Sequence, residues 1–319
     1  MYKRILLAAL TCMCAASAAA ADYPNRPVTI VVPFPGGQTG DIIARSMGEQ
    51  LSRKLGQPFI VENRPGAGGT IGTGFAARAA NDGYTLLLTS TGPFAIAPSL
   101  YSKLPYDPLK DFDAVANIAV TPQVLAVSES VKAKNLKELV ALAKAGDLSY
   151  ASAGNGSTQH LTMEVLSKAA GVKMTHIPFK GSAEAQTQVI SGQIAVTSDS
   201  LPAILAQIRA NKLRALAVVD TERSPFLPDT PTMKEAGFDG VSTLAFFGLM
   251  APKGTPPEVI QTLNKTVTAL LETPEIQERF KTLALTPAKA TTSAEFSHYL
   301  AGEVTKFKRV VTDAGAQID

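Results

Sequence analysis

The hydrophobic positions of the chain fall into short apolar runs that alternate with stretches of helical periodicity. Residues 28–32 form a run of buried-strand type, and the apolar positions from Ile42 to Leu55 recur at helical spacing. Residues 59–62 and 84–89 predict two further strands, separated by a glycine-rich turn and a short helix. Such a β-α-β-α-β series predicts a parallel sheet with helices packed on its faces.

The ends of these first helices carry recognisable signals. Asp41 directly precedes the periodic apolar residues, so we expect it to be the N-cap of the first helix. Gly56 follows the last periodic residue and is expected to end that helix. The glycine-rich stretch 64–74 is expected to be a turn that leads into a short helix over residues 75–80.

The alternation of strands and helices repeats later in the chain, which predicts a second α/β unit. Its predicted strands lie at residues 124–127, 149–152, 174–177, 194–198 and 213–219, with helices at 136–145, 159–170, 183–191 and 201–211. A late strand at 244–250 and long amphipathic helices at 256–283 and 293–314 follow. We therefore predict a bilobed α/β protein, with residues 22–122 and 245–319 in lobe 1, residues 123–244 in lobe 2, and the ligand cleft between the lobes.

The N-terminus has the layout of a secretory signal peptide over residues 1–21. A short basic start precedes a mainly apolar stretch and a run of alanines, after which Asp22 begins a polar segment. An uncleaved anchor is the alternative, but the apolar stretch is short for a membrane span. Cleavage would remove Lys3 and Arg4, lower the formal net charge from +3 to +1, and remove Cys12 and Cys14. An exported protein without cysteine is expected in the bacterial periplasm.

Composition and motifs exclude several functions. The charge balance shows no run of like charges that would indicate nucleic-acid binding. The chain has no Walker A or Gly-x-Ser-x-Gly sequence. Neither its three histidines nor its acidic residues occur at the spacing that is typical of metal ligands. The stretch 72–77 fits only a loose dinucleotide-binding pattern. We therefore predict no catalytic residues, no metal and no cofactor, and hence a protein that is not an enzyme.

Four strand-to-helix turns carry the remaining candidate chemistry. They lie at residues 35–41, 89–92, 153–158 and 179–182, each after a predicted strand, and are rich in Gly, Ser, Thr and Asn. Free N–H groups and hydroxyls at helix N-termini bind anions, and glycine allows close approach of the backbone. Each turn alone is more simply an ordinary cap, but four in one topological position favour a carboxylate-binding cleft.

Several longer motifs also resemble a known family. They are Tyr-Pro-Asn-Arg-Pro at 23–27, Val-Val-Pro-Phe-Pro-Gly-Gly at 31–37, Val-Glu-Asn-Arg-Pro-Gly-Ala-Gly-Gly at 61–69, Asp-Gly-Tyr-Thr-Leu at 82–86, Gly-Asn-Gly-Ser at 154–157, Pro-Phe-Lys-Gly at 178–181 and Phe-Gly-Leu-Met-Ala-Pro-Lys-Gly-Thr-Pro at 247–256. With them the chain resembles the solute-binding proteins of tripartite tricarboxylate transporters, the Bug family. The resemblance implies a Venus-flytrap periplasmic binding protein that passes a small carboxylate to a membrane permease. We expect it to be a monomer.

The turns and the resemblance together assign the candidate ligand-binding residues. They are Phe34, Gly36, Gly37, Gln38, Thr39, Asp41, Ser90, Thr91, Ala153, Gly154, Asn155, Gly156, Ser157, Thr158, Lys180, Gly181 and Asp199. Gln38 stands where the family's first loop usually has a second glycine, so its amide could either reach into the cleft or point to solvent. Lys180 is equally interpretable as a solvated surface lysine, and Asp199 as the cap of the next helix.

Two other functions fit the same pattern. A sensory binding protein that docks on a membrane receptor would bind its ligand in the same way, so the sequence cannot separate sensing from transport. A hydrolase or isomerase on a bilobed scaffold is the second alternative. The lack of a convincing acid and base set argues against it.

Overall fold

A computed structural model describes residues 23–316 of the 319-residue chain. The predicted signal peptide, with both cysteines, lies outside the described residues. Between residues 23 and 316, none of the helices combines the length and the apolar character that a bilayer crossing requires. The described chain builds two mixed β-sheets, one of six strands and one of five, with helices packed against them.

The first part of the described chain forms four strands of the larger sheet. The elements are β1 (Val28–Val32), α1 (Thr39–Leu55), β2 (Phe59–Asn63), α2 (Thr70–Ala77), β3 (Thr85–Ser90), α3 (Ala97–Leu100) and β4 (Phe112–Thr121). Strand β1 pairs in parallel with both β2 and β3, as the sequence predicted. A 3₁₀ turn, Ala67–Gly69, precedes α2, and a π-helical turn, Gly92–Ile96, precedes α3.

The chain then crosses at Pro122 into the smaller sheet. Its elements are β5 (Gln123–Ser128), α4 (Leu136–Ala145), β6 (Leu148–Ser152), α5 (Thr158–Ala170), β7 (Met174–Pro178), α6 (Ser182–Ile190), β8 (Val196–Ser200), α7 (Leu201–Arg209) and β9 (Leu213–Val219). The strand order is β7-β6-β8-β5-β9. Strand β5 runs antiparallel to β8 and β9, whereas β6 runs parallel to β7 and β8.

The last part of the chain returns to the larger sheet. Its elements are β10 (Ala245–Pro252), α8 (Pro257–Leu271), α9 (Pro274–Thr282), β11 (Thr286–Pro287) and α10 (Ser293–Ala314). Strand β10 inserts antiparallel between β3 and β4, which completes the order β11-β4-β10-β3-β1-β2. We keep the names lobe 1 and lobe 2 for the parts of the chain that carry the larger and the smaller sheet.

Three local expectations from the sequence need correction. Gln38, not Asp41, is the N-cap of α1, and Asp41 lies in the first turn of that helix. The helix after the glycine-rich stretch begins at Thr70 rather than at residue 75, because glycine tolerates the conformations that lead into it. Strand β4 was not predicted, since Asp113 and Asn117 interrupt its apolar pattern. Gly56 ends α1 in the left-handed conformation, as predicted.

Each sheet has apolar side chains on both faces, as expected when helices cover both sides. In lobe 1, Ile30 and Leu88 pack with α1 and α8, while Val31 and Leu87 face the cluster that includes α10. In lobe 2, alternate residues of β5 separate in the same way into two clusters. This burial holds the strand ends rigidly, and the loops that follow β1, β3, β6 and β8 project from those ends.

Candidate functional site

The loop after β1 is anchored by Asp41 from the first turn of α1. Its carboxylate accepts a hydrogen bond from the backbone N–H of Gly37 at 2.9 Å, and further bonds from Arg45 and the side chain of Asn63. Burial opposes ionisation of this group, but the hydrogen bonds from Arg45, Gly37 and Asn63 outweigh it and lower the pKa of Asp41. Asp41 therefore fixes the shape of the loop and its carboxylate is already occupied.

The loop after β6, residues 153–157, is held by short-range hydrogen bonds. Ser157 is the N-cap of α5 and its Oγ accepts from the N–H of His160 at 3.2 Å. Ser152 Oγ accepts from the N–H of Gly154 and donates to the carbonyl oxygen of the same residue. The N–H of Gly156 donates to His160 Nδ1 at 3.3 Å. The N–H groups of the first turn of α5, at the end of this loop, are thus held in one orientation.

The stacked rings of Tyr150, His176 and His160 lie next to this loop. The His160 and His176 rings lie 4.1 Å apart between centroids, and the Tyr150 ring stacks on His176 at 4.9 Å. Burial lowers the pKa of His160 to about 4, and burial together with the neighbouring His160 lowers that of His176 to about 3. Both imidazoles are therefore neutral near pH 7, which leaves His160 Nδ1 free to accept the Gly156 N–H.

A third group of residues surrounds Asp199, the fully buried carboxylate near the end of β8. It accepts hydrogen bonds from Gln159 Nε2 at 2.7 Å, Ser182 Oγ at 3.0 Å, Gln186 Nε2 at 2.8 Å and the N–H of Ser200 at 2.8 Å. Burial raises the pKa of Asp199, and the hydrogen bonds from these neighbours oppose that rise. Asp199 therefore acts as a common acceptor that orients Gln159 and Ser182.

The two lobes contact each other across these loops. Thr39 Oγ1 of lobe 1 lies 2.7 Å from Ser200 Oγ of lobe 2. A Cβ atom added at Gly68 would fall 1.9 Å from the carbonyl oxygen of Asn155, so only glycine permits this approach. The Tyr101 hydroxyl also donates to the Asn155 carbonyl, at 3.3 Å. The cleft is therefore closed, with backbone of one lobe against backbone of the other.

A small cavity, the inner cavity, remains between the lobes, with a volume of about 40 Å³. Its described lining comprises Phe34, Gln38, Thr39, Gly40, Ser90, Gly92, Gln123, Ser157, Thr158, Gln159, Ser182, Ser200, Ala245 and Phe247. All of these side chains are uncharged, and most carry a hydroxyl or an amide. Two of the lining residues carry a buried side-chain atom without a hydrogen-bond partner among residues 23–316, namely Gln38 Nε2 and Gln123 Oε1.

A larger cavity, the outer cavity, has a volume of about 570 Å³ and shares Phe34 with the inner one. Its described lining comprises Phe34, Gly66, Ala67, Gly68, Gly69, Tyr101, Ala153, Gly154, Asn155, Pro178, Phe179, Lys180 and Glu184. Lys180 is exposed, and its backbone N–H donates to the carboxylate of Glu184. The outer cavity therefore has both a cation and an anion at its edge.

The ligand-binding residues proposed from the sequence fall into three groups, which line the inner cavity, the outer cavity or neither. Those that line the inner cavity are Phe34, Gln38, Thr39, Ser90, Ser157 and Thr158, and those that line the outer cavity are Phe34, Ala153, Gly154, Asn155 and Lys180. Those that line neither cavity are Gly36, Gly37, Asp41, Thr91, Gly156, Gly181 and Asp199. Among this last group, Asp41 and Asp199 support the loops, and Thr91 Oγ1 accepts from the N–H of Phe246.

Sequence reasoning missed several lining residues. Gln159 directly follows the predicted turn at 153–158 and was overlooked because that turn was assessed without the helical residue after it, whereas Ser182 ends the predicted turn at 179–182 but was not chosen as a candidate. Gln123 and Phe247 lie on strands that no turn signal marks, so only the pairing of the sheets brings them to the cleft. The glycines at 66–69 were interpreted as a structural turn, whereas they line the outer cavity.

Residues 43–316 match the family model described as "Tripartite tricarboxylate transporter family receptor". The chain belongs to this receptor family. The resemblance inferred from the sequence motifs is thereby confirmed. Protein BugT of Bordetella pertussis is 38% identical over 307 residues, which cover 95% of this chain and 94% of BugT.

Solved structures of similar proteins support the same assignment. The R. palustris protein Rpa4515 with adipate has a TM-score of 0.90 and 34% identity, and covers 93% of this receptor and 100% of that chain. MatC from Rhodopseudomonas palustris with bound malate has a TM-score of 0.86 and 32% identity, with 91% of this receptor and 100% of MatC covered. The predicted bilobed α/β fold class is confirmed.

Proposed function

We propose that this receptor captures a small carboxylated metabolite between its lobes and delivers it to the permease of a tripartite tricarboxylate transporter. The single observation that carries the proposal is the inner cavity, a space between the lobes whose lining residues are uncharged and rich in hydroxyl and amide groups. The relatives with adipate and with malate bound show that proteins of this architecture hold carboxylates.

The inner cavity favours an anion held by neutral donors. Thr158 and Gln159 are the first residues of α5, so their backbone N–H groups have no partner within the helix, and the helix dipole adds positive potential there. The Ser157 hydroxyl, which accepts from His160, keeps its own proton available to a ligand. Hydrogen bonds from neutral donors to a carboxylate are charge-assisted and stronger than bonds between neutral groups.

The charge of Asp199 does not contradict this proposal. Four hydrogen-bond donors surround its carboxylate, and those from Gln159 and Ser182 lie between it and the inner cavity. In such a shell the negative charge is compensated by oriented dipoles rather than directed at a ligand. Asp199 therefore belongs to the site as a positioning residue.

The volumes suggest how a ligand is divided between the two cavities. A cavity of about 40 Å³ accepts a group the size of roughly three water molecules. One end of the metabolite would lie there, and the remainder would extend past Phe34 into the outer cavity, near Lys180. We propose that the candidate residues lining these cavities contact the ligand, with the lobes bounded at residues 122 and 245.

We also propose a periplasmic location after removal of the predicted signal peptide, and a monomeric state. Intact-mass measurement of the exported protein should give a chain that starts at Ala21 or Asp22 and contains no thiol. A retained N-terminus or an attached lipid would contradict this processing.

Native mass spectrometry of the purified receptor is the direct test of ligand binding. It should reveal a retained small acid, and calorimetry with a panel of carboxylic acids should then give a saturable heat of binding. Failure of every acid in the panel to bind would overturn the proposal. Turnover of a bound acid on incubation would instead favour the hydrolase or isomerase alternative, and docking on a receptor domain in place of a permease would favour sensing.

A further inference from the structure

We propose that the inner cavity selects carboxylates that carry a hydroxyl group, and that Gln38 and Gln123 recognise this hydroxyl. The inference rests on the proposed function, since it specifies the class of carboxylate that the same cleft takes. The observation behind it is a pair of buried side-chain amides, one from each lobe, that line the inner cavity with unused hydrogen-bonding capacity.

Both amides are almost completely shielded from solvent. Gln38 is 8% exposed and Gln123 is 2% exposed. Gln38 Nε2 and Gln123 Oε1 lack a hydrogen-bond partner anywhere in the described chain. A buried polar group without a partner costs about 1–3 kcal/mol, so two on residues that line the same cavity point to a ligand group that satisfies them.

Four neighbouring polar side chains of the cavity already have partners within the protein. Gln159 Nε2 and Ser182 Oγ both donate to Asp199, and Gln159 Oε1 accepts from the N–H of Ala153. Thr39 and Ser200 are hydrogen-bonded to each other. Among the described lining residues, Gln38 and Gln123 are therefore those with a buried side-chain atom that has no hydrogen-bond partner in the protein.

A hydroxyl group fits these two amides better than the other common substituents of small acids. It accepts from Gln38 Nε2 and donates its proton to Gln123 Oε1, and it fits equally if both amides are rotated, because it both donates and accepts. A keto oxygen only accepts and leaves Gln123 Oε1 unpaired. An ammonium group only donates, and it would bring a positive charge into a lining without a carboxylate.

The position of the pair links recognition of the hydroxyl to closure of the lobes. Gln38 directly precedes α1 in lobe 1, and Gln123 is the first residue of β5 in lobe 2. A hydroxyl that bonds to both residues makes both contacts only when the lobes are together. A ligand shifts a conformational equilibrium by its differential affinity for the two states, so the hydroxyl would stabilise the closed state.

Calorimetry on the wild-type receptor tests the selection directly. Acids of three, four and six carbons are compared in pairs with and without a 2-hydroxyl, with the keto and amino forms of the four-carbon acid added: succinate, malate, oxaloacetate and aspartate. We expect the hydroxy acid to bind at least about tenfold more tightly than its unsubstituted partner in every pair that binds. Equal binding within the pairs would overturn this inference alone, whereas absence of binding by every acid would overturn the proposed function as well.

Variants that remove one amide but keep the side-chain volume test the residues. Gln123→Met and Gln38→Met should each reduce the preference for the hydroxy acid to about twofold or less, while the unsubstituted acid binds as to the wild type. Gln50→Met is the matched control, because Gln50 is a buried glutamine that donates to Glu275 in lobe 1 and lines neither cavity. A preference that persists in both cleft variants, with melting temperatures near that of the wild type, would exclude these residues as its source. If one variant does not fold, the other decides the outcome.

Discussion

Gly68 of lobe 1 lies so close to Asn155 of lobe 2 that a single added carbon would fall 1.9 Å from the Asn155 carbonyl oxygen. Gly68 adopts φ +62°, and it is part of the 3₁₀ turn before α2. The contact joins the turn of one lobe to the loop between β6 and α5 of the other. Closure of the cleft therefore requires a residue without a side chain at position 68.

The Gly68→Ala variant should keep the fold but lose the closed state. A methyl group at this position meets backbone, which cannot move aside cheaply, so the lobes have to separate. We expect calorimetry to show ligand affinity reduced by more than about tenfold, because a ligand held by both lobes loses one set of contacts. Small-angle scattering with ligand present should show the more open form.

The Gly171→Ala variant is the matched control. Gly171 ends α5 at φ +61° and has no atom within 4 Å of an added Cβ, so it carries the same backbone strain without the clash. Both variants should lose about 1–2 kcal/mol of stability from the left-handed conformation. Equal ligand affinity in the two variants would show that closure does not depend on Gly68.

Ser157→Asp should abolish binding without unfolding the protein. Aspartate is as good an N-cap as serine, so α5 remains capped, but its charge lies where we place an anionic ligand. Lys180→Ala should weaken binding only slightly, since that lysine is exposed. Asn135→Asp, the same replacement of a neutral cap at the N-terminus of α4, is the control. Calorimetry that shows wild-type affinity for Ser157→Asp would remove this loop from the site.

Asp199→Asn should weaken binding although Asp199 lines neither cavity. Asparagine keeps one acceptor oxygen and replaces the other by a donor, so it can no longer accept from both Gln159 and Gln186, and the hydrogen-bond network that orients Gln159 is disturbed. We expect affinity to fall by at least about tenfold, in line with the loss of a hydrogen bond to a charged group. Asp113→Asn, which removes a carboxylate paired with Lys253 on lobe 1, should leave affinity unchanged.

The stacked histidines predict that the receptor loses stability as pH falls. An unfolded imidazole titrates near pH 6.5, whereas the folded pKa is about 4 for His160 and about 3 for His176. The unfolded chain therefore binds more protons below pH 6.5, so the free energy of unfolding decreases from there towards pH 4. Each imidazole contributes at most about 1.4 kcal/mol per pH unit.

Urea unfolding at pH 7, 6 and 5 measures this dependence. His160→Gln and His176→Gln should each flatten the loss of stability between pH 6.5 and 5, whereas His298→Gln, at an exposed position of α10, should not. The comparison between variants cancels the contribution of other titrating groups, because the four proteins share those groups. A slope identical in all four proteins would contradict the assignment.

The amino-acid sequence by itself determined the elements and their succession. The apolar run of β1, the helical spacing of α1 and the turns after the strands are local patterns, because strand and helix periodicities are set by neighbouring residues. The motifs also established the family. The positions of Gln38, Ser157 and Thr158 at the ends of strands followed from the rule that parallel strands present their loops on one side.

The tertiary structure decided which polar groups are free for a ligand and which serve other residues. Asp41 and Asp199 are of a residue type that commonly binds ligands. Their carboxylates, however, already accept hydrogen bonds from Asn63 and Gln186, which lie on other elements. Gln123 has no local signal, and it reaches the inner cavity because β5 begins at the crossing between the sheets. Such pairings join residues far apart in the chain, and hydrogen-bond capacity is assigned only when burial brings those residues together.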